Sequence, residues 1–128
     1  MSKIKKVIRQ ALATEKAAGI SEISLCVTDD KLICRLNKKY FGRNRPTDVI
    51  AFSTGDIAVS ADTATNNAVI FNTHPLYELL LYAAHGALHV IGYDDKTAGQ
   101  RKVMDQKAGR ILKKAGINKC PSIRPKRS

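Results

Sequence analysis

Tryptophan is absent from this sequence and other aromatic residues are few: three Phe and four Tyr in 128 residues. A core must therefore be built from Leu, Ile, Val and Ala, and at 44% hydrophobic residues the chain has enough to exclude wholesale disorder. The length allows one domain. Acids are scarce too, with 11 Asp and Glu against 22 Lys and Arg and a net charge of +11. A small domain so unbalanced is drawn to polyanions, nucleic acid before an anionic membrane surface. No apolar run approaches the roughly 20 residues of a spanning helix, and no membrane partner is expected. The three cysteines, Cys26, Cys34 and Cys120, are odd in number and form no CxxC pair, which excludes a disulfide framework. Cys26 and Cys34 read as small core residues. Charges are scattered through the N-terminal stretch, so no signal peptide is expected and the reading is cytoplasmic.

The elements present follow from periodicity and punctuation. Ile4, Val7, Ile8, Ala11 and Leu12 recur at helical spacing, predicting a core-facing helix over Ser2–Ala18 that stops at Gly19. Glu22–Thr28 alternates as a strand with Ile23, Leu25 and Val27 on one face, and Lys31–Tyr40 reads as a short helix. After a basic loop over Gly42–Pro46 come strands over Asp48–Ser53 and Asp56–Ser60, joined through Thr54 and Gly55 as an antiparallel hairpin. Thr47 and Asp48 read as caps closing the loop, and Gly55-Asp56 as a turn. Helices are expected over Ala61–Phe71, over Pro75–Ile91 (the most apolar, hence central) and from the Thr97/Gln100 capping box to about Ala115. The domain then spans residues 1–118. Residues 119–128, with two prolines and a basic end, read as a flexible tail.

The positive charge is uneven. Lys31, Arg35, Lys38, Lys39, Arg43 and Arg45 fall in one segment without an acid, and Arg101–Ser128 holds 10 bases against Asp105 alone. Two such runs in one small chain point to a phosphate-binding face. No aromatic residues interleave with bases in the manner of an RRM or cold-shock surface, so base recognition is not readable from the sequence.

Chemistry concentrates in the stretch from His85 to Asp95, HGALHVIGYDD. His85 and His89 are four apart on a helix, so both imidazoles project from one face and can share a metal ion. Gly92 lets the chain reverse, returning a carboxylate of Asp94 or Asp95 as a third ligand. Unpartnered imidazoles on so apolar a helix would be costly, which favours a functional pair over core histidines. His74, eleven residues and about 16 Å of helix away, reads as a residue of the helix N-terminus instead. Residues 86–88 hold no Glu, so the HExxH arrangement of zinc proteases is absent.

These residues carry a family resemblance. HGALHVIGYDD resembles the HGxLHLxGYDH signature of the YbeY-type endoribonucleases, a bacterial rRNA-maturation family. LNKKYFGRNRPTDVIAFS is similar to that family's LNxxYRxxxxxTDVLSF block, and GDIAVS, followed by Ala64 and Ala68, to its GDIxIS block. Glu78 and Met104 also fall in place. Order and spacing agree from about residue 20 to 112. The resemblance implies a single α/β (α+β) domain: a small mixed sheet flanked by helices, with a metal site at the end of the central helix. It implies one divalent metal ion, usually zinc, held by His85, His89 and the third-histidine position, which is Asp95 here. The implied activity is metal-dependent cleavage of single-stranded RNA in maturation of the small-subunit rRNA 3′ end and in ribosome quality control. RNA, the small ribosomal subunit and ribosomal proteins are the implied partners of a monomer.

The chain departs from the pattern twice. Asp95 replaces the third histidine, and an anionic ligand weakens the Lewis acid. Phe41 stands where the family usually has Arg, and Arg43 and Arg45 are the cations that can compensate. The candidate catalytic side chains are then His85, Arg43, Arg45 and Asp94, and the candidates for general base are Asp94, whichever carboxylate is left off the metal, and a metal-bound hydroxide. Lys38, Lys39, Arg43 and Arg45 are the candidate RNA-backbone contacts. Two other classes fit the residues. One is an RNA- or ribosome-binding assembly factor with a structural metal. The other is an iron enzyme using His85, His89 and Asp95 as a two-histidine, one-carboxylate facial triad.

Overall fold

The computed structural model describes residues 2–15 and 22–118. Eight elements follow in chain order: α1 (Lys3–Thr14), β1 (Ser24–Thr28), α2 (Asp30–Phe41), β2 (Val49–Ala51), β3 (Asp56–Ser60), α3 (Ala61–Phe71), α4 (Pro75–Ile91) and α5 (Ala98–Lys114). Local chemistry sets these limits. Asp29 caps α2 by accepting from the Leu32 amide at 2.8 Å, and Gly42 ends it at φ 71°, a left-handed conformation that favours glycine. His74 caps α4, its Nδ1 accepting from the Leu76 amide at 3.1 Å, with Pro75 in the first turn. Thr97 and Gln100 form the expected capping box of α5. The predicted end of α1 at Ala18 and Gly19, and the tail over 119–128, lie outside the described residues.

The three strands form a mixed sheet in the order β1-β3-β2, with β1 parallel and β2 antiparallel to the central β3. The hairpin is shorter than expected: Phe52 and Gly55 turn the chain through hydrogen bonds from Phe52 N to Asp56 O and from Gly55 N to Phe52 O, both 2.9 Å. Alternation along β3 sends Ile57 and Val59 into one cluster with Ala64 and Tyr82. On the opposite face the Ser60 hydroxyl donates to Asp30, which also accepts from Thr63 at 2.6 Å, so one carboxylate ties α2 to β3 and α3. A second cluster joins Val7 and Ala11 of α1, Leu80 to Leu88 of α4, and Met104 to Leu112 of α5. Helix α4 belongs to both and is central, as its apolar composition predicts. Among the described residues no helix is long and apolar enough to cross a membrane.

The cysteine expectation needs correction. Cys26 is exposed and Cys34 only half-buried, because period-2 alternation puts Cys26 on the face of β1 opposite the core-packed Ile23 and Leu25. Val27 departs as well: it shares their face but is 44% exposed.

The seam between α4 and the sheet runs through Gly86. A Cβ there would lie 2.7 Å from Ile57 Cγ2 and 3.2 Å from Val49 Cγ2, so the helix approaches the strands as closely as it does because this position has no side chain. Gly86→Ala improves helix propensity by up to about 1 kcal/mol but overpacks the seam, at about 1–3 kcal/mol. The expected net loss is up to about 2 kcal/mol, read as a lower urea midpoint at unchanged slope.

Candidate active site

Helix α4 carries His85 and His89 on one face, and the chain reverses directly after them. Gly92, at φ 123°, donates to the Leu88 and His89 carbonyls at 3.1 Å, and Tyr93 N reaches Leu88 O at 3.0 Å. The reversal brings Asp95 Oδ2 to 3.4 Å from His89 Nε2. Arg101 supports the turn, its guanidinium donating to the carbonyls of Asp95 at 3.3 Å and Lys96 at 3.4 Å. His85 faces a different carboxylate: its Nε2 lies 3.2 Å from Asp105 Oδ1 on α5. That nitrogen is buried, and the contact lacks hydrogen-bond alignment, leaving it without a hydrogen-bond partner. His85, His89, Asp95, Asp105, Asp48, Val49, Arg101 and Met104 line one cavity of about 210 Å³.

The donors suit a divalent ion in kind: imidazole nitrogens and carboxylate oxygens. Two ligands on one tetrahedral zinc stand about 3.4 Å apart, given bonds of about 2.1 Å. The His89–Asp95 separation of 3.4 Å matches that spacing. A buried imidazole nitrogen without a hydrogen-bond partner, facing a cavity with further donors, is what a ligand position offers. As they stand, the histidines form two separate carboxylate pairs, and no group of three His, Cys, Asp or Glu is drawn together among the described residues.

The cavity adjoins a wider cleft of about 700 Å³ where Arg43 and Arg45 line the wall with Phe41, Asp48, His89, Asp94 and Asp95. Both predicted arginines therefore reach the same cleft as His89 and Asp95. Lys38 and Lys39 lie exposed on the last turn of α2, outside that lining. Asn37 shapes the basic loop by donating to the Arg45 carbonyl at 2.9 Å and accepting from the Arg43 amide at 3.3 Å through its own carbonyl. Asp94 accepts from the Asp95 amide at 2.9 Å and faces the Lys96 ammonium at 3.6 Å. Asp48 acts as the expected cap, accepting from the Val49 amide at 2.7 Å, yet it also faces the histidine cavity. A third hollow, bordered by Tyr77, Tyr82, His85 and Asp105, lies alongside. Burial pushes Tyr82 up to about 12 against the opposing Asn67 hydrogen bond, so this phenol stays protonated and is no general base at neutral pH.

Sequence reasoning missed two carboxylates, Asp48 and Asp105. Asp105 had a signal: it is the one acid among the bases of Arg101–Ser128, and it is the acid opposite His85. Three rings from two separate stretches of the sequence also come together in space. Tyr40 and Phe41 meet Phe52 across the loop, with ring centroids 5.0 and 6.4 Å from that of Phe52.

A three-way contact holds the turn to the helices around it. Glu15, capping the end of α1, accepts from the Tyr93 hydroxyl and from Lys107 Nζ of α5 at 3.1 Å. Lys107 also lies over the Tyr93 ring, 5.0 Å from its centroid. The Tyr93 hydrogen bond and then Lys107 hold the Glu15 carboxyl below its ordinary 4.5, against the opposing effect of burial. Contacts with Tyr93 and Glu15 push Lys107 above 10.5.

A cleft lined by Arg43 and Arg45 together with His89 and the carboxylates of Asp48, Asp94 and Asp95 is suited to hydrolysis of an anionic chain. Comparison with known proteins gives the same class: the sequence model of the family described as Endoribonuclease YbeY matches residues 1–116. An endoribonuclease YbeY from Elusimicrobium minutum is 39% identical over 110 residues, covering 77% of this chain and 77% of that one. One from Moorella thermoacetica is 33% identical over 138 aligned residues, covering 93% and 88%. Among solved structures, the solution structure of TM1509 from Thermotoga maritima covers 98% of this chain and 93% of that one at TM-score 0.61 and 24% identity, a likeness of fold. The chain belongs to the YbeY endoribonuclease family.

The Glu15 contact generates a pH prediction. A depressed carboxyl stabilises the fold fully above its unfolded value of 4.5, and that contribution is lost as pH falls through the lower folded value. Glu15→Gln is expected to cost about 1–2 kcal/mol at pH 7. In urea titrations the gap between wild type and variant narrows as the pH is taken well below 4.5.

Proposed function

We propose that this protein is a metal-dependent endoribonuclease that cleaves single-stranded RNA. Its setting is the cytoplasm, in maturation of the small-subunit rRNA 3′ end and in ribosome quality control. One observation carries the reading: His85, whose buried Nε2 has no hydrogen-bond partner, lines the same cavity as His89 and Asp95, beside a cleft walled by Arg43 and Arg45. His85, His89 and Asp95 are the residues that would hold the divalent ion, with zinc favoured by a donor set of two imidazoles and a carboxylate. What a bound ion supplies there is Lewis-acid activation of water and neutralisation of charge on a non-bridging phosphate oxygen. Asp105 and Arg101 orient the site, one against His85 and the other against the Asp95 turn. Arg43 and Arg45, with Lys38 and Lys39 farther out, bind the RNA backbone, and Asp94 in the same cleft is the candidate general base.

A second reading, an RNA- or ribosome-binding assembly factor with a structural metal and little turnover, is favoured by the carboxylate of Asp95 beside His89 where the resembled pattern has a third histidine, since an anionic ligand weakens the Lewis acid.

Metal content and RNase activity, measured together on wild type, His85→Ala, His89→Ala and Asp95→Ala, separate the readings. For the enzyme, near-stoichiometric metal is lost in each variant and cleavage falls by at least about a hundredfold. Metal retained by Asp95→Ala removes Asp95 from the ligand set. Activity indifferent to all three substitutions belongs to a contaminating nuclease and leaves the binding factor. Independently, Arg43→Ala combined with Arg45→Ala is expected to lower RNA affinity and flatten its dependence on log salt by up to about two units of slope.

A further inference from the structure

Seven aromatic residues serve the whole chain, and three of them meet beside the cleft. Phe52 follows β2. Across the loop its ring makes a T-shaped contact with Tyr40 at 71° and lies within 21° of parallel to Phe41. Both α2 residues remain 53% exposed, so each gives part of its surface to Phe52 and keeps part in solvent. In a chain so poor in rings this is an uneconomical use of two of them, unless the exposed surfaces meet something. Cations stand among them: Lys39 Nζ lies 5.3 Å from the Tyr40 ring centroid, and Arg43 and Arg45 follow Phe41 along the same wall. Phe41 itself lines the cleft that contains His89 and Asp95.

We propose that Tyr40, Phe41 and Phe52 form a stacking platform for single-stranded RNA, with Phe41 receiving the nucleobase that enters the cleft. The proposal rests on the endoribonuclease reading and names how its substrate is gripped. Flat faces alternating with positive charge are the means by which unpaired strands are held, since the rings take bases and the cations take phosphates. In a duplex each base face is already covered by its neighbours, so a platform of this kind selects unpaired strands. Every base has a π-face, so the grip tolerates any sequence. The resembled pattern has Arg where this chain has Phe41. A guanidinium plane also stacks on bases, so the replacement keeps a flat face while the nearby arginines keep the charge. A lipid surface is the poorer occupant, because Phe41 borders a concave cleft, which a flat bilayer cannot enter and an extended strand can.

The test is fluorescence anisotropy with a cleavage-resistant 2′-O-methyl single strand, the same backbone carrying abasic residues, and a duplex of the same sequence. Wild type is expected to bind the base-bearing single strand at least about fivefold more tightly than the abasic strand or the duplex. Phe41→Ala loses that preference with its salt slope unchanged. Phe41→Leu, which keeps apolar volume against Phe52 and guards against a folding defect, loses most of it. The platform is overturned if wild type binds the abasic strand equally well, if Phe41→Leu keeps the full preference, or if the protein prefers anionic vesicles to any oligonucleotide. A wild type that cuts RNA yet binds the abasic strand as tightly as the base-bearing one removes the platform alone; a wild type that neither binds nor cuts RNA removes the function with it.

Discussion

The approach of α4 to the sheet at Gly86 governs the position of everything that follows it. Ile57 of β3 and Val49 of β2 occupy the space that a Cβ would take, so the helix axis lies close against the hairpin. His85 immediately precedes this contact, and His89 stands one turn beyond it. Asp48, just before Val49, is carried to the same cavity by the same seam. A bulkier residue in that place would move the imidazoles away from the strand whose loop supplies Arg43 and Arg45. Packing and chemistry are thus settled at one point, because interiors at organic-crystal density transmit small displacements instead of absorbing them.

Electrostatics completes what packing begins. The chain carries a large cationic excess, yet the floor of its cleft is acidic: Asp48, Asp94 and Asp95 face it, and Asp105 closes the histidine cavity from α5. Basic walls attract a phosphate backbone from a distance, while carboxylates at the floor repel it unless an intervening cation joins the two. Under the proposed function, this division of charge would give a physical reason for a divalent ion between the carboxylates and the phosphate backbone.

Much of this was legible in the sequence. Caps and breakers such as Asp29, Gly42, Pro75 and Thr97 act locally, and the elements they bound stand where their chemistry puts them. His85 and His89 were legible because helical spacing fixes which residues share a face. The places of Asp105 and Phe52 were not, because they are set by tertiary contact: Asp105 meets His85 from another helix, and Phe52 meets Tyr40 and Phe41 across a loop. Cys26 was misread for a related reason. An apolar neighbourhood in sequence says nothing about the face of an edge strand, and Cys26 is turned outward there.

The junction of Glu15, Tyr93 and Lys107 connects the end of the first helix, the turn behind His89 and the last helix. Tyr93 is two residues from Asp95, so the order of that turn and the order of the α1 terminus share one set of bonds. Free-energy coupling of this kind is reciprocal. Whatever steadies the turn from within the cleft also slows the opening of α1, and fraying of α1 loosens the site from behind. The amides at the end of the N-terminal helix are therefore a remote gauge of occupancy, through exchange rates set by local opening.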